Sequence, residues 1–284
     1  MTATLLIGYD VEACAIGEGL ACLGAHGLGE AVDRTTTGRA LQVIRRNHEE
    51  HDVPGTLFVC GRTLVHNVEA LEPFVDHPLF DIQQHTYSHT LLRDDHWKGG
   101  TFLASPTVAI ETEIAQTSRA LKRLLGVDCI GLRTPHGYYR GLCDSPEMLA
   151  VLQQCGIEFV SSWARNEHGV NPTPMSVQPF WYSDQGYPDL LEIPFQGWLD
   201  GVWFEEFGID RGVEYAGVLR DAVDEIVAGD LVYGACFHDW AQLRYREAEI
   251  RWVAGLMEYA AAHGVSLMSY AEYYRSQLEA RIAV

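Results

Sequence analysis

The stretch DIQQHTYSH, Asp81 to His89, carries two histidines, His85 and His89, with three residues between them. On one turn of helix or in a tight loop this spacing points both imidazoles the same way, so that the pair can grip one metal ion. Three other clusters carry reactive side chains: Asp10-Val11-Glu12 near the N-terminus, Arg133-Thr-Pro-His-Gly137, and His238-Asp239. Two neutral imidazoles and a carboxylate suit a divalent ion, zinc above all, and leave a position for water, whose pKa then drops toward neutrality. A carboxylate base and a histidine acid divide the proton transfers, each worth roughly 10²–10⁴-fold. A main-chain N–H steadies the tetrahedral oxyanion. Together these groups are the equipment of metal-assisted hydrolysis.

Each cluster alone has a plainer reading. Asp10-Val11-Glu12 also fits a solvated strand end, the histidine pair a satisfied surface or core, Arg133 a salt-bridged core arginine, and His238-Asp239 a capping pair. Their joint placement, each just after a strand-like run, favours chemistry.

The positioning elements follow from pattern. Thr4 to Tyr9 reads as a buried strand, followed by a Gly-rich loop through Gly29. Asp33 or one of Thr35 to Thr37 caps a helix carrying Ala40, Leu41, Val43 and Ile44, ended by Asp52-Val53-Pro54. Gly55 to Cys60 is a second strand, Leu64 to Val75 mostly helix, and Leu79 to Ile82 a third strand leading into His85. Val108 to Leu125 has apolar residues at helical spacing and a stop at Gly126, and Cys129 to Leu132 delivers Arg133. Pro146 to Cys155 is helical, and Ile157 to Ser161 and Leu190 to Phe195 are strands. Val213 to Val227 is a helix, Asp230 to Phe237 a strand delivering His238, Glu247 to His263 a helix, Val265 to Met268 a last strand and Ala271 to Ala283 a closing helix. Strands alternating with helices predict an α/β fold of parallel units. Reactive residues after strand ends favour a distorted (β/α)7–8 barrel, as one domain over residues 1–284.

At 47% hydrophobic and 21% charged, the chain can bury a sizeable core. A formal charge of −19 with no basic run excludes a phosphate backbone as partner, so no nucleic acid is expected. MTATLLIGYD has no basic leader and its apolar run stops at Asp10, which predicts neither secretion nor membrane insertion but a cytoplasmic protein. The seven cysteines are odd in number and free of CxxC, as expected of reduced thiols, with Cys14 and Cys236 near the proposed site. Oligomeric state is left open, a homo-oligomer included.

In this order and these strand contexts, the four clusters resemble the polysaccharide deacetylase (NodB-homology, carbohydrate esterase) family of metal-dependent hydrolases, over about Leu5 to Met268. The resemblance implies that His85 and His89 are the metal pair and Asp10 the general base. It implies that Arg133 of the RxPxG-type motif tethers that base, that the main-chain amide of His136 is the oxyanion donor, and that His238 is the general acid. Many members have two adjacent aspartates where this chain has Asp10-Val11-Glu12, which makes Glu12 the candidate third ligand. This arrangement, with EIPFQGWLD at Glu192 to Asp200, looks more like the intracellular subgroup with allantoinase-like and cyclic-imide-hydrolysing members. His136 stands where an aromatic residue is common, and no clear Asp/Trp motif lies between Ser161 and Trp198, so the partner of His238 is unassigned. Asp81, Trp163, Glu192, Trp198 and Asp239 are candidates for supporting or substrate-contacting residues.

The implied activity is hydrolysis of a non-peptide C–N bond, with removal of an acetyl group from an N-acetylated sugar or related small molecule leading. Opening of an imide, hydantoin or allantoin-like ring is the close alternative, and a non-catalytic metal- or sugar-binding barrel is the third reading. The cofactor expected is one divalent ion, zinc first, with cobalt, nickel and manganese also accommodated by such ligands.

Overall fold

The computed structural model describes residues 2–13, 35–97, 99–240 and 250–282. The Gly-rich stretch, Cys14, Asp33 and the start of the helix expected from Glu247 lie outside them. The first strand, β1 (Thr4–Val11), is buried at every position, as a parallel strand covered on both faces must be. Helix α1 (Thr36–His51) buries Ala40, Leu41, Ile44 and His48 on one face and ends at Asp52 in the left-handed region. After β2 (Gly55–Val59), the helix expected over Leu64 to Val75 is broken into α2 (Gly61–His66), α3 (Val68–Leu71) and a 3-10 turn at Glu72–Phe74. Asn67 leaves helical dihedrals at φ −136° and Pro73 stops the next turn.

Strand β3 (Phe80–Gln84) runs two residues beyond the expected end, so His85 follows it directly. The charged, Gly-containing segment after it, expected as a loop, holds an antiparallel hairpin of β4 (Asp95–Trp97) and β5 (Gly100–Phe102). Then come α4 (Thr107–Leu125), β6 (Gly131–Tyr138), α5 (Pro146–Gln154) and β7 (Phe159–Trp163). Arg133-Thr-Pro-His-Gly137 lies inside β6 rather than after it, with a register shift between Arg133 and Tyr138. Sequence periodicity does not register such a bulge. The chain continues with β8 (Phe180–Tyr182), not expected, β9 (Tyr187–Glu192), α6 (Asp200–Phe207), also not expected, α7 (Gly212–Gly229), β10 (Val232–His238), α8 (Arg251–Ala262), β11 (Ser266–Met268) and α9 (Tyr270–Ile282).

The sheet runs in the order β10-β1-β2-β3-β6-β7-β9-β8, with β11 beside β1. All of these pairs are parallel except β8 with β9. In this mixed α/β fold, β10 and the segment after β9 meet largely through side chains among the described residues. One main-chain bond crosses, from Gln196 N–H to Gly234 O at 3.0 Å. Gln196 Oε1 accepts the Gly234 N–H at 2.7 Å, and Gln178 Oε1 accepts the Val232 N–H at 2.8 Å. A Cβ on Gly234 would lie 2.3 Å from Pro194 O, so only glycine lets the seam come this close.

Along β1 the side chains alternate. Leu5, Ile7, Tyr9 and Val11 pack with residues of α1, α7 and α8, while Leu6 joins Phe58, Phe159, Leu191 and Tyr270 inside the barrel. Gly8 and Asp10 share the inner face with Leu6. The barrel floor is therefore apolar and its polar groups gather toward the C-terminal strand ends.

Candidate metal centre and active site

Parallel register places Asp10 beside His238 across β1 and β10. Below them the Arg133 guanidinium is wholly buried over the rings of Phe58, Phe195 and Tyr270, at 4.3, 4.7 and 4.9 Å. Desolvated cation–π contacts of this kind contribute about 2 kcal/mol each. Room for the cation comes from Gly8, where a Cβ would sit 2.8 Å from Nη2. Arg133 Nη1 donates to Asp10 Oδ1 at 3.2 Å, which fixes the carboxylate from beneath. Asp10 Oδ2 is left 3.8 Å from His85 Nε2 and 4.0 Å from His238 Nε2, with the Cys236 thiol donating to it at 3.5 Å.

Glu12 follows β1 and is held by main chain and side chain alike. Asp239 Oδ1 accepts the N–H groups of Glu12 and Ala13, each at 3.1 Å, while Asp239 Oδ2 accepts the Thr37 hydroxyl at 2.6 Å. Burial pushes the Asp239 carboxyl up to about 7 against these donors. Glu12 Oε2 then lies 3.0 Å from His85 Nε2 and 2.9 Å from His89 Nε2, and Oε1 accepts the Trp240 indole N–H at 2.8 Å. His85 Nδ1 is 2.8 Å from Arg133 O, a carbonyl that can only accept. The proton of a neutral ring is therefore on Nδ1, and the Nε2 lone pair faces Glu12.

The His85 and His89 pair stands in a loop rather than on a helix, with Thr86 and His89 in the left-handed region at φ 58° and 62°. Glu113 of α4 braces this loop through the N–H and hydroxyl of Ser88, at 2.7 and 2.8 Å. Burial would raise the Glu12 carboxyl, but His89 and His85 hold it well below the usual range. Burial pulls His89 down toward the neutral ligand form. An ionised carboxylate with two ring nitrogens on one oxygen calls for a cation, and Glu12, His85 and His89 are a donor set that fits one divalent ion.

The partner of His238 is Asp200, the first residue of α6. Its Oδ1 is 2.5 Å from His238 Nδ1 and its Oδ2 accepts the His238 main-chain N–H. Sequence reading missed Asp200, although it closes the EIPFQGWLD stretch. No signal in the sequence marked it, since α6 was itself not expected and β9 ends eight residues earlier, at Glu192. Burial would lower His238, but Asp200, with Glu12 and Asp10, pushes it up to about 10. His136 lies in the β6 bulge at φ 58°, its ring centroid 5.9 Å from that of His89.

Among the remaining candidates, Asp239 is buried behind Glu12 and holds its loop. Glu192 is wholly buried, its oxygens taken by Ser162 N–H and hydroxyl, Trp163 N–H and Tyr182 hydroxyl, so it braces β7, β8 and β9. Trp198 packs on Trp203 and Phe207 of α6, at 5.5 and 5.3 Å between ring centroids. Asp81 sits at the opposite strand end, accepting from Thr56, Gln83 and Ala271. Trp163 ends β7 half-buried beside Tyr139, with its indole N–H on Arg165 O.

The polysaccharide deacetylase family model matches residues 31–160. No curated protein sequence matches the chain. Among solved structures, Puue allantoinase superposes with a TM-score of 0.69 at 15% identity, covering 96% of this chain and 89% of that one. A probable polysaccharide deacetylase from Pseudomonas aeruginosa PAO1 gives 0.68 at 16%, with the same coverage. BA3943, a CE4 family pseudoenzyme from Bacillus anthracis, gives 0.55 at 10%, covering 96% of this chain and 66% of that one. At such identities the likeness to these structures is one of fold. The chain thus matches the polysaccharide deacetylase family model over residues 31–160 and shares the fold of these structures over nearly its whole length.

Proposed function

We propose that this protein is a metal-dependent hydrolase of a non-peptide amide C–N bond, acting first on an N-acetylated sugar or related small molecule. The observation that carries this reading is the placing of Glu12, His85 and His89 on one point beside Asp10, which Arg133 holds, and His238, which Asp200 holds. A divalent ion bound by the three ligands, zinc in the first instance, supplies polarisation of a carbonyl and acidification of water. Asp10, steadied by Arg133, takes the proton of the attacking water. His238, kept protonated by Asp200, gives a proton to the departing nitrogen. The main-chain N–H of His136 is the donor for the oxyanion.

Ring opening of a cyclic amide is the second reading, supported by Glu12 in the ligand position and by the β4–β5 hairpin, whose Trp97 and Phe102 rings stand about His136. We place the protein in the cytoplasm as a single domain. No helix among the described residues is long and apolar enough to cross a membrane.

The test is mass spectrometry of pooled N-acetylated sugars, cyclic imides and ureides with metal-loaded protein, before and after chelation. Chelator-sensitive loss of acetyl supports the first reading, and chelator-sensitive gain of one water supports the second. No change in either pool rejects both readings, and turnover unaltered by Asp10→Asn removes Asp10 as the base.

A further inference from the structure

A second aspartate–histidine pair borders the ligand group. Asp95, the first residue of β4, accepts a hydrogen bond from His136 Nδ1 at 2.7 Å and another from Arg165 Nη2 at 3.1 Å. Arg165 is itself immobilised: Nε donates to Gly137 O at 2.9 Å, Nη1 to Asn171 Oδ1 at 3.2 Å, and the guanidinium lies over the Trp97 ring at 4.8 Å. Burial works to raise the Asp95 carboxyl, yet His136 and Arg165 hold it below its ordinary range, so it acts as acceptor only. The hydrogen of a neutral His136 ring is therefore on Nδ1, and Nε2 offers a lone pair. Among the described residues nothing pairs with that nitrogen. The ring sits with His89, Phe102 and Trp97, at centroid distances of 5.9, 5.6 and 6.0 Å. Its backbone is in the left-handed region, which residues with a Cβ adopt rarely, histidine less rarely than most.

We infer that His136 Nε2 accepts the N–H next to the scissile carbonyl, and that His136 is thereby a specificity-determining residue selecting secondary amides or imides over N-alkylated ones. Asp95 and Arg165 are its positioning residues. A role confined to pinning the hairpin is a weaker account, because Asp95 and Arg165 already pair in a buried ion bridge without the histidine. The inference rests on the amide-hydrolase reading and adds to it a group that the hydrolytic step does not require. The required N–H occurs in both substrate classes, an N-acetylated sugar and a cyclic imide.

The test compares N-acetylglucosamine and succinimide, each with its N-methylated form, on zinc-loaded wild type, His136→Phe, His136→Asn and Asp95→Asn. Wild type should favour the N–H form of whichever class it turns over by about tenfold in kcat/KM, the usual worth of one hydrogen bond. His136→Phe should abolish that preference through KM, and His136→Asn, which keeps an acceptor oxygen, should restore part of it. A preference unchanged in His136→Phe overturns the inference. A second arm needs no turnover: in ¹⁵N-histidine-labelled Asp10→Asn protein, the His136 Nε2 resonance, identified by its loss in His136→Phe, should move with an N–H compound and not with its N-methyl form. If no compound is hydrolysed, the proposed function falls while this arm still decides the binding role. A resonance unmoved by all four compounds, or moved equally by the N-methyl forms, overturns the inference by itself.

Discussion

His238 Nδ1 lies 2.5 Å from Asp200 Oδ1, and the other oxygen of the same carboxylate takes the His238 main-chain N–H at 3.1 Å. One side chain thus fixes both the ring and the strand end that carries it. Asp200→Asn removes the charge and keeps the size. Because the raised value near 10 keeps His238 protonated through neutrality, the variant should lose its protonated acid as pH rises through the ordinary histidine value of 6.5. The alkaline limb of the pH–rate profile is expected to move down, with kcat at pH 8 lower by roughly 10–100-fold. A limb that stays in place would remove His238 as the acid.

Glu12→Gln and His89→Ala should each empty the metal centre. Metal content by elemental analysis after gel filtration is expected to fall from about one ion per chain to near none, with far-UV circular dichroism unchanged. Full metal content in both variants would put the ligands elsewhere.

Asp239 touches no proposed ligand atom, yet it holds the main chain of Glu12. Asp239→Asn leaves every ligand in place and disturbs three donors. Competition with a chelator should show metal affinity reduced by roughly 10–100-fold, the usual cost of losing an outer partner. Unaltered affinity would mean that the loop holds its shape without it.

His48 tests the framework away from the metal. It is buried, with Nδ1 2.6 Å from Val53 O and Nε2 2.9 Å from the Tyr9 hydroxyl, and burial lowers it from 6.5 to about 4. A depressed value means that the unfolded chain binds the proton first. The contribution is whole above pH 6.5 and is lost as pH falls toward 4. Between pH 7 and 5 the wild type should lose roughly 2 kcal/mol more than His48→Gln, read from urea unfolding. Equal losses would show that His48 takes up its proton in the folded state.

Much of this site was legible because the chemistry uses rare residue types at strand ends. Asp10, Glu12, His85, His89, Arg133 and His238 are drawn together by parallel register, which period-2 reading of the strands anticipates. Asp200 was not legible, since an aspartate opening a helix reads as an ordinary cap, and only the fold brings it to His238. The partners of Glu192 were not legible either, since its hydroxyl and amide donors come from β7 and β8, the latter strand itself not expected. The β4–β5 hairpin was hidden by its charge, although the glycines at its turn were a usable sign.

The seam at Gln178 and Gln196 makes this barrel a ring with a clasp. Two amide side chains can release by changing rotamer while every strand ladder stays paired. Deuterium should therefore enter the Val232 and Gly234 amides, bonded to glutamine oxygens, before those of Tyr233 and Ala235, which alternation turns toward β1. A seam of this kind can loosen at one gap without rethreading the chain, the main-chain bond from Gln196 to Gly234 being the last to part.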